Sequence, residues 1–396
     1  MTVDLSTEWR NMQHRILKQL ENKHLPDMAD DALEVRASLY TDIERFDREC
    51  SLVFRRQPLL AALSHELAKP GDRIHFDAAG VQVLIMRGGD GKLRAFLNIC
   101  THRGATLVDD ESQSLVCPYH GWAYNDDGSV KNLPLSEGFS GVDLSSKGLV
   151  KLPVTEWQGM VFVVATPGEE TIDVEAYLGE LGPLLAALNL QDLHKNAQDQ
   201  LNVETNWKLA LDTGREIYHV PMIHRNTLAK NLYPHIMIYD QYGLHNRYCG
   251  AGKDFAKLID TPEEQWPTMR YQAVHYIYPN TTLAISHSVD GESPMVSLSR
   301  VFPDGAVGKT KTYLSTYSRT NDPASIELHN AVVGVVSSQD YVQATQVWKN
   351  LEHQPEFKLV WGKNEALLQQ YHQQLAEQID RPLSVSGGFS HSGNVS

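Results

Sequence analysis

Asn98 to Tyr124 reads NICTHRGATLVDDESQSLVCPYHGWAY. It holds Cys100-Thr101-His102 and, after 14 intervening residues, Cys117-Pro118-Tyr119-His120. Each loop offers one sulfur and one nitrogen. A zinc ribbon draws a Cys pair from each side, spaced two to four apart. The mixed Cys-x-His and Cys-x2-His set instead suits a [2Fe–2S] centre in which one iron takes both thiolates and the other both imidazoles. Neutral imidazoles raise the potential of such a cluster above that of an all-thiolate one, so it can accept an electron from a ferredoxin or reductase and pass it on. Structural zinc stays open as the alternative on spacing alone. Pro118 fixes φ in the second loop, and Gly104 and Gly121, one shortly after each His, allow close backbone approach.

A second group lies in NWKLALDTGREIYHVPMIH, Asn206 to His224. His219 and His224 are five apart, which on an ideal helix separates them by about 140°. Pro221 lies between them and predicts that the helix stops near His219, so that both rings can converge. Asp212 and Glu216 precede His219 by seven and three residues and are expected on its helix face. The plain alternative is a solvated helix face with a chance His. Two imidazoles and one carboxylate with open positions suit a mononuclear Fe(II) that must bind O2. Spacing does not fix the third ligand. Asp340, in SSQDYVQATQVWKNL, is the choice because it follows the apolar run AVVGVV and is expected to open a helix, where a carboxylate is comfortable; an ordinary helix cap would look the same.

These residues need a scaffold. The chain has 396 residues, enough for two domains or one large domain with an insertion. Its net charge of −14 argues against nucleic acid or an anionic membrane as partner. No apolar run reaches the length of a membrane span, the N-terminus lacks the pattern of a secretory signal, and four cysteines make no disulfide framework. A reducing cytoplasm is the expected location. Residues 1–55 are expected to be helical, with Thr41 capping and Glu44 reaching back in a capping box. Ile43, Phe46, Cys50 and Val53 form one apolar stripe, on which Cys50 reads as a small buried hydrophobe. Residues 56–165 read as a small all-β module, with Val81–Arg87, GGDGK and Leu93–Leu97 as a hairpin and Met160 to Val164 as a later strand. Residues 166–385 read as α+β around an antiparallel sheet. Helices are expected over 172–195, 204–220, 323–350 and 362–379, and strands at Ala273 to Tyr278, Thr282 to Ser286 and Thr312 to Tyr317. Residues 386–396 close a Ser/Gly-rich stretch that reads as a disordered tail. Tyr218, Tyr242, His245, His275, Tyr278 and His287 fall where a pocket would lie. A polar aromatic lining would suit a substrate with a carboxylate, amine or hydroxyl; ordinary strand aromatics are the alternative.

NICTHRGATL and CPYHGWAYNDDGSV, with Arg103, Tyr119 and Trp122, resemble the cluster loops of the Rieske non-heme iron aromatic-ring-hydroxylating oxygenases, α (large) subunit. NWK, the acid three before the first His, the His-x4-His pair, Gln339-Asp340 and WGKNEALLQQYHQQL are similar to that family's catalytic domain. The resemblance covers roughly residues 40 to 380. It implies a β-sandwich Rieske domain and a helix-grip catalytic domain. It also implies a [2Fe–2S] Rieske cluster on Cys100, His102, Cys117 and His120, and Fe(II) on His219, His224 and Asp340. Glu216 is implied as the bridge to a Rieske His, His120, of a neighbouring subunit, and Asp212 matches the near-iron Asn/Asp position. The implied activity is a terminal oxygenase that hydroxylates, dihydroxylates or dealkylates a small organic substrate with O2. Its electrons would come from NAD(P)H through a reductase, with or without a ferredoxin. The implied assembly is a cyclic homotrimer, alone or with a small β subunit. A non-catalytic Rieske electron carrier is the competing reading, and a zinc-stabilised binding protein the third. Gly214 and Arg215 stand where members of that family often carry an aromatic and a small or aliphatic residue.

Overall fold

A computed structural model describes residues 3–22, 25–109, 114–266, 270–287, 294–320 and 323–380. The Ser/Gly-rich tail lies outside the described residues. The hairpin of Val81–Arg87 and Leu93–Leu97 forms as the β runs around GGDGK predict, flanked by Arg73–Ala78 and Lys151–Leu152 in a four-stranded sheet. Leu59–Leu63, Met160–Val163 and Val154–Trp157 make a second, three-stranded sheet. Side chains alternate across the hairpin. Val83, Ile85 and Ala95 join the main core. Leu84, Met86 and Phe96 instead pack with Cys100, Cys117, Trp122 and Tyr124. One face of this sheet is therefore the floor under the Cys/His loops.

The rest of the chain is built on one seven-stranded antiparallel sheet. Its spatial order is His194–Val203, Thr310–Ser318, Pro294–Pro303, Thr281–His287, Ala273–Ile277, His245–Gly252, Leu232–Tyr242. The strands expected near residues 273, 282 and 312 are all there. The edge strand His194–Val203, HKNAQDQLNV, was expected to begin as helix; it is mostly polar and lies at the sheet margin, where no inward apolar pattern is required. Pro323–Val335 and Tyr341–Leu351 are helical, as is Ala366–Gln378.

Residues 1–55 are not uniformly helical. After the helix Leu5–Glu21 the chain adds a strand, Leu33–Arg36, which pairs with Lys358–Trp361. The cap of the helix Ile43–Arg48 is Asp42, not Thr41: its carboxylate accepts from the Arg45 amide at 2.7 Å. An ionised carboxylate in that position also meets the helix dipole. Ile43 is 66% exposed and leaves the expected stripe, whereas Phe46 and Val53 are buried. Cys50 is half-buried against the main core, and burial pushes its thiol up to about 12.

The Asn-Trp-Lys triplet has a physical explanation. Asn206 caps the helix Trp207–Asp212 by accepting from the Lys208 amide at 2.9 Å. Trp207 Nε1 donates to Glu49 at 2.9 Å, and Lys208 Nζ donates to both Glu49 oxygens at 2.7 and 2.6 Å. Glu49 and Lys208 are fully buried. Arg45 Nε, also buried, donates to Glu49 Oε1 at 3.2 Å. The group clamps the N-terminal segment to the helix that leads into the second site, and removing Glu49 would strand two buried cations.

Candidate metal centres

The two Cys/His loops are the same turn used twice. Gly104 N donates to Cys100 O at 2.9 Å, and Gly121 N donates to Cys117 O at 3.0 Å. The Cys100 amide donates to Ala105 O and the Cys117 amide to Trp122 O, both at 2.8 Å. Gly104 and Gly121 have φ of +77° and +74°, a conformation that favours glycine. Each Cys thus stands four residues before its glycine, with the His two residues after Cys100 in one turn and three after Cys117 in the other.

The donors meet as two pairs, thiol with thiol and imidazole with imidazole. Cys100 and Cys117 are buried, and the Cys117 thiol is raised first by burial and then by its neighbour Cys100. The His102 and His120 rings lie 4.7 Å apart. His102 stacks on Trp122 at 5.0 Å with Phe139 against its edge, and its buried Nδ1 has no hydrogen-bond partner among the described residues. Two adjacent buried thiols disfavour ionisation unless a cation compensates, and an orphaned ring nitrogen needs an acceptor or a metal. The donor set therefore fits a two-iron cluster. His120 is exposed and rests against Tyr119 at 3.8 Å.

Around the second site the helix expected over 204–220 is broken. It ends at Asp212, where Gly214 N bonds to Leu211 O and Arg215 N to Asp212 O, an i to i−3 tightening that closes the turn. Pro221 does not stop a helix at His219. It sits in the first turn of a separate one, Val220–Ile223, where a missing N–H is harmless. His219 is the N-cap and His224 the C-cap of this single turn, and the two rings meet at 5.0 Å. Asp340 does not open a free helix. It ends a wide π-helical turn, Val336–Asp340, between two helices. Such a turn inserts a residue and re-aims the side chain.

Ligand atoms of His219, His224 and Asp340 all lie within 4.8 Å of one another. Asp340 Oδ1 is 3.1 Å from His224 Nε2 and 3.6 Å from His219 Nε2. The opposite ring nitrogens are occupied. His219 Nδ1 contacts Glu216 Oε1, whose other oxygen accepts from the His219 amide at 3.0 Å. His224 Nδ1 is 2.8 Å from Gln339 Oε1. Protons on both Nδ1 atoms leave both Nε2 lone pairs facing the carboxylate. Burial pushes the Asp340 carboxyl up, against the pull of the two histidines. Burial pushes His219 down, but the bond and charge of Glu216, with Asp340, hold it above its ordinary value. These groups fit a divalent cation bound by two imidazoles and a carboxylate.

Glu216 stands beside His219 as expected. Asp212 lies outside the three-residue cluster: Tyr40 donates to it at 2.7 Å and His372 Nε2 contacts both its oxygens at 2.9 and 3.0 Å. Sequence reading missed Tyr40, His372 and the hold of Gln339 on His224. A signal existed for His372 only as a polar residue on the buried face of Ala366–Gln378. His245 and His275 turn inward as framework rather than pocket lining. His245 is tied to Tyr177 O and the Tyr278 amide, and His275 to Tyr271. Tyr218 is exposed.

The family models divide along the same lines. Residues 57–151 match the Rieske [2Fe-2S] domain and residues 190–381 the ring hydroxylating alpha subunit (catalytic domain). The carnitine monooxygenase oxygenase subunit of Escherichia coli (strain K12) is 33% identical over 199 residues, 49% of this chain and 53% of that protein. This chain thus spans about half the length of several curated relatives that it matches. The chloroplastic choline monooxygenase of Atriplex hortensis is 26% identical over 82% of this chain and 73% of its own. A quaternary ammonium Rieske monooxygenase solved with L-carnitine superposes with a TM-score of 0.74 at 21% identity, covering 89% of this chain and 96% of that one. Among the described residues no helix is long and apolar enough to cross a membrane. A Rieske domain followed by this catalytic domain implies the [2Fe–2S] cluster and a mononuclear iron. The chain belongs to the Rieske non-heme iron oxygenases, as an α subunit.

Proposed function

We propose that this chain is the terminal oxygenase of a small multicomponent system that hydroxylates or oxidatively N-dealkylates a small quaternary ammonium compound. A reductase, with or without a ferredoxin, would deliver electrons from NAD(P)H. The convergence of His219, His224 and Asp340, each imidazole turned by a partner on its far nitrogen, is the observation that carries the reading. A bare electron carrier would have no use for it. The names of the relatives, which act on carnitine, choline and glycine betaine, support the substrate class. The net charge of −14 supports it too, because such a field attracts cations.

Cys100, Cys117, His102 and His120 would hold the cluster, and His219, His224 and Asp340 the iron. When bound, the cluster supplies single electrons and the iron supplies a site for O2 activation. The protein groups do the positioning. Glu216 and Gln339 fix the ring planes and tautomers of the two iron histidines. Asp212, clamped by Tyr40 and His372, would serve as the near-iron acid. Glu216 would also accept from His120 of a neighbouring copy, which pairs the cluster of one chain with the iron of the next in a head-to-tail cyclic trimer. Exposure supports this. Tyr119 beside His120 is 56% exposed, and Tyr218 and Met222 beside His219 are 61% and 75% exposed, leaving apolar surface at both ends of the expected contact.

The test is metal and acid-labile sulfide per chain in anaerobically purified protein, followed by turnover of quaternary ammonium substrates with a reductase. One cluster plus one further iron is expected. Zinc without sulfide would sink the reading, as would cluster iron alone after Fe(II) reconstitution.

A further inference from the structure

Arg215 is a buried cation that no acid answers among the described residues. It lies in the turn between the two helical pieces, one residue before Glu216, and is 1% exposed. Its guanidinium carbon sits 3.3 Å from the centroid of the Tyr276 ring and 5.8 Å from that of Tyr371. Nη1 donates to Asn246 Oδ1 at 3.3 Å. Nε and Nη2 are buried with no acceptor among the described residues. The acids close by in sequence are engaged elsewhere, Asp212 with Tyr40 and His372 and Glu216 with His219. The same core holds another orphaned donor, the buried Tyr278 hydroxyl.

The identity of the free atoms matters. Nε and Nη2 form one edge of the guanidinium, two parallel N–H bonds that match the two oxygens of a carboxylate. The ring face of Tyr276 holds the plane of the guanidinium and partly compensates its charge. It cannot accept from the in-plane edge. A buried cation in this state is unfavourable for the fold by itself and makes sense if a ligand completes it.

We propose that Arg215 is an anion subsite that takes the carboxylate of the substrate, with Tyr276 as its floor and Asn246 as its hold. This rests on the oxygenase reading and narrows it: the substrate carries a carboxylate together with its quaternary ammonium group. Glycine betaine and choline share a trimethylammonium head and differ by a carboxylate against a hydroxymethyl group, so they are the probes.

The experiment is calorimetric titration of the iron-loaded full chain with each probe and with sodium chloride, for the wild type and Arg215→Met. Melting temperatures of the ligand-free proteins are recorded alongside. Wild type is expected to bind glycine betaine at least about tenfold more tightly than choline, one bidentate charge-assisted contact. Arg215→Met is expected to bring that ratio near one and, without ligand, to melt above wild type because the unanswered charge is gone. Equal affinity for the two probes in wild type, a ratio that survives in the variant, or binding of neither probe overturns the proposal. So does an Arg215→Met melting temperature below wild type, which would make the arginine structural, or equal binding of chloride, which would make the site one for inorganic anions. Iron and sulfide are counted on the same preparations. A wrong metal count would overturn the oxygenase reading, whereas the binding ratio needs no turnover and reports on Arg215 alone.

Discussion

The two metal-type sites of this chain are built in opposite ways. The first draws Cys100, His102, Cys117 and His120 from a span of 21 residues on two copies of one glycine-closed turn, and it leaves His120 at the surface. The second draws His219, His224 and Asp340 from a span of 122 residues. It assembles them from the two ends of a one-turn helix and the end of a π-helical turn, with His224 and Asp340 buried. A site made of local turns needs only its own loop. A site made of distant irregularities needs the sheet, the broken helix and the outer partners Glu216 and Gln339 all in place. The first arrangement suits a centre that exchanges electrons across a surface, the second a centre that must keep a reacting pair away from water.

The largest expected effect breaks one site and spares the other. His224→Ala removes an imidazole that nothing nearby replaces. It should lose the one mononuclear iron and take turnover to background while the cluster spectrum stays unchanged. Metal analysis with the EPR spectrum of the reduced protein reads both at once. Loss of the cluster signal in this variant would mean that the sites are not independently built.

That contrast also explains what was legible in the sequence. The two Cys/His turns could be read because their spacing is fixed by the turn itself, and the hairpin beneath them because two apolar β runs flank GGDGK. His219 and His224 are legible as a pair, but the cause of their convergence is not. Pro221 was read as a helix stop and is a helix start, because the true break comes earlier, at the i to i−3 turn after Asp212. Asp340 could be picked for following an apolar run at an expected helix start, but an ordinary helix cap offers the same grounds. The distinguishing feature of Asp340 is a π-turn, and neither composition nor periodicity marks one in VSSQD. Tyr40 and His372 escaped because both are recruited across 160 or more residues to Asp212, and long-range polar pairs leave no local pattern.

Glu216→Gln tests the link between the two regions. The amide can still turn His219, so both metals should remain, but it cannot stabilise a neighbouring imidazole as a carboxylate does. Turnover coupled to reductant should fall on the order of 100-fold, the size of effect typical for a metal site's outer partner. Stopped-flow reoxidation of the reduced cluster checks the step. Reoxidation at the wild-type rate would remove Glu216 from the electron path.

Acid should separate the regions by stability. Burial pushes His245 down to about 4 and His275 down to about 3, and both lie in strands of the seven-stranded sheet. Their folded pKa values are below the ordinary 6.5, so the unfolded chain takes up protons that the folded one refuses. The stabilisation is present above about pH 6.5 and is lost as pH falls towards 4 and 3, at about 1.4 kcal/mol per pH unit for each histidine. The melting temperature should drop between pH 7 and 5, with the iron lost before the cluster absorbance. His275→Gln should make that slope shallower. A slope that does not change would mean that His275 titrates in the native state.

The smallest effect concerns the first region alone and tests how finely its turns tune what they hold. Tyr124 Oη lies 3.2 Å from Cys100 Sγ and accepts from the Thr101 amide at 3.1 Å. Thr101 Oγ1 is 3.0 Å away but already donates to Lys147 O at 2.6 Å. It can therefore accept from Tyr124 but not donate to it, and the phenol proton has two acceptors, the sulfur and the threonine oxygen. Burial and the neighbouring Cys100 push the phenol up to about 12, so it remains a donor. Reduction puts negative charge on the cluster and its thiolates, so a donor at Cys100 favours the reduced form and raises the potential. A hydrogen bond of about 1 kcal/mol corresponds to roughly 40 mV for a one-electron couple. Tyr124→Phe should lower the midpoint potential by about that much in a redox titration followed by EPR, with iron content unchanged. Thr101→Val removes the competing acceptor and should move the potential the other way by a smaller amount. If Tyr124→Phe leaves the potential where it was, the proton rests on Thr101 and the tyrosine serves only to tie the two turns together.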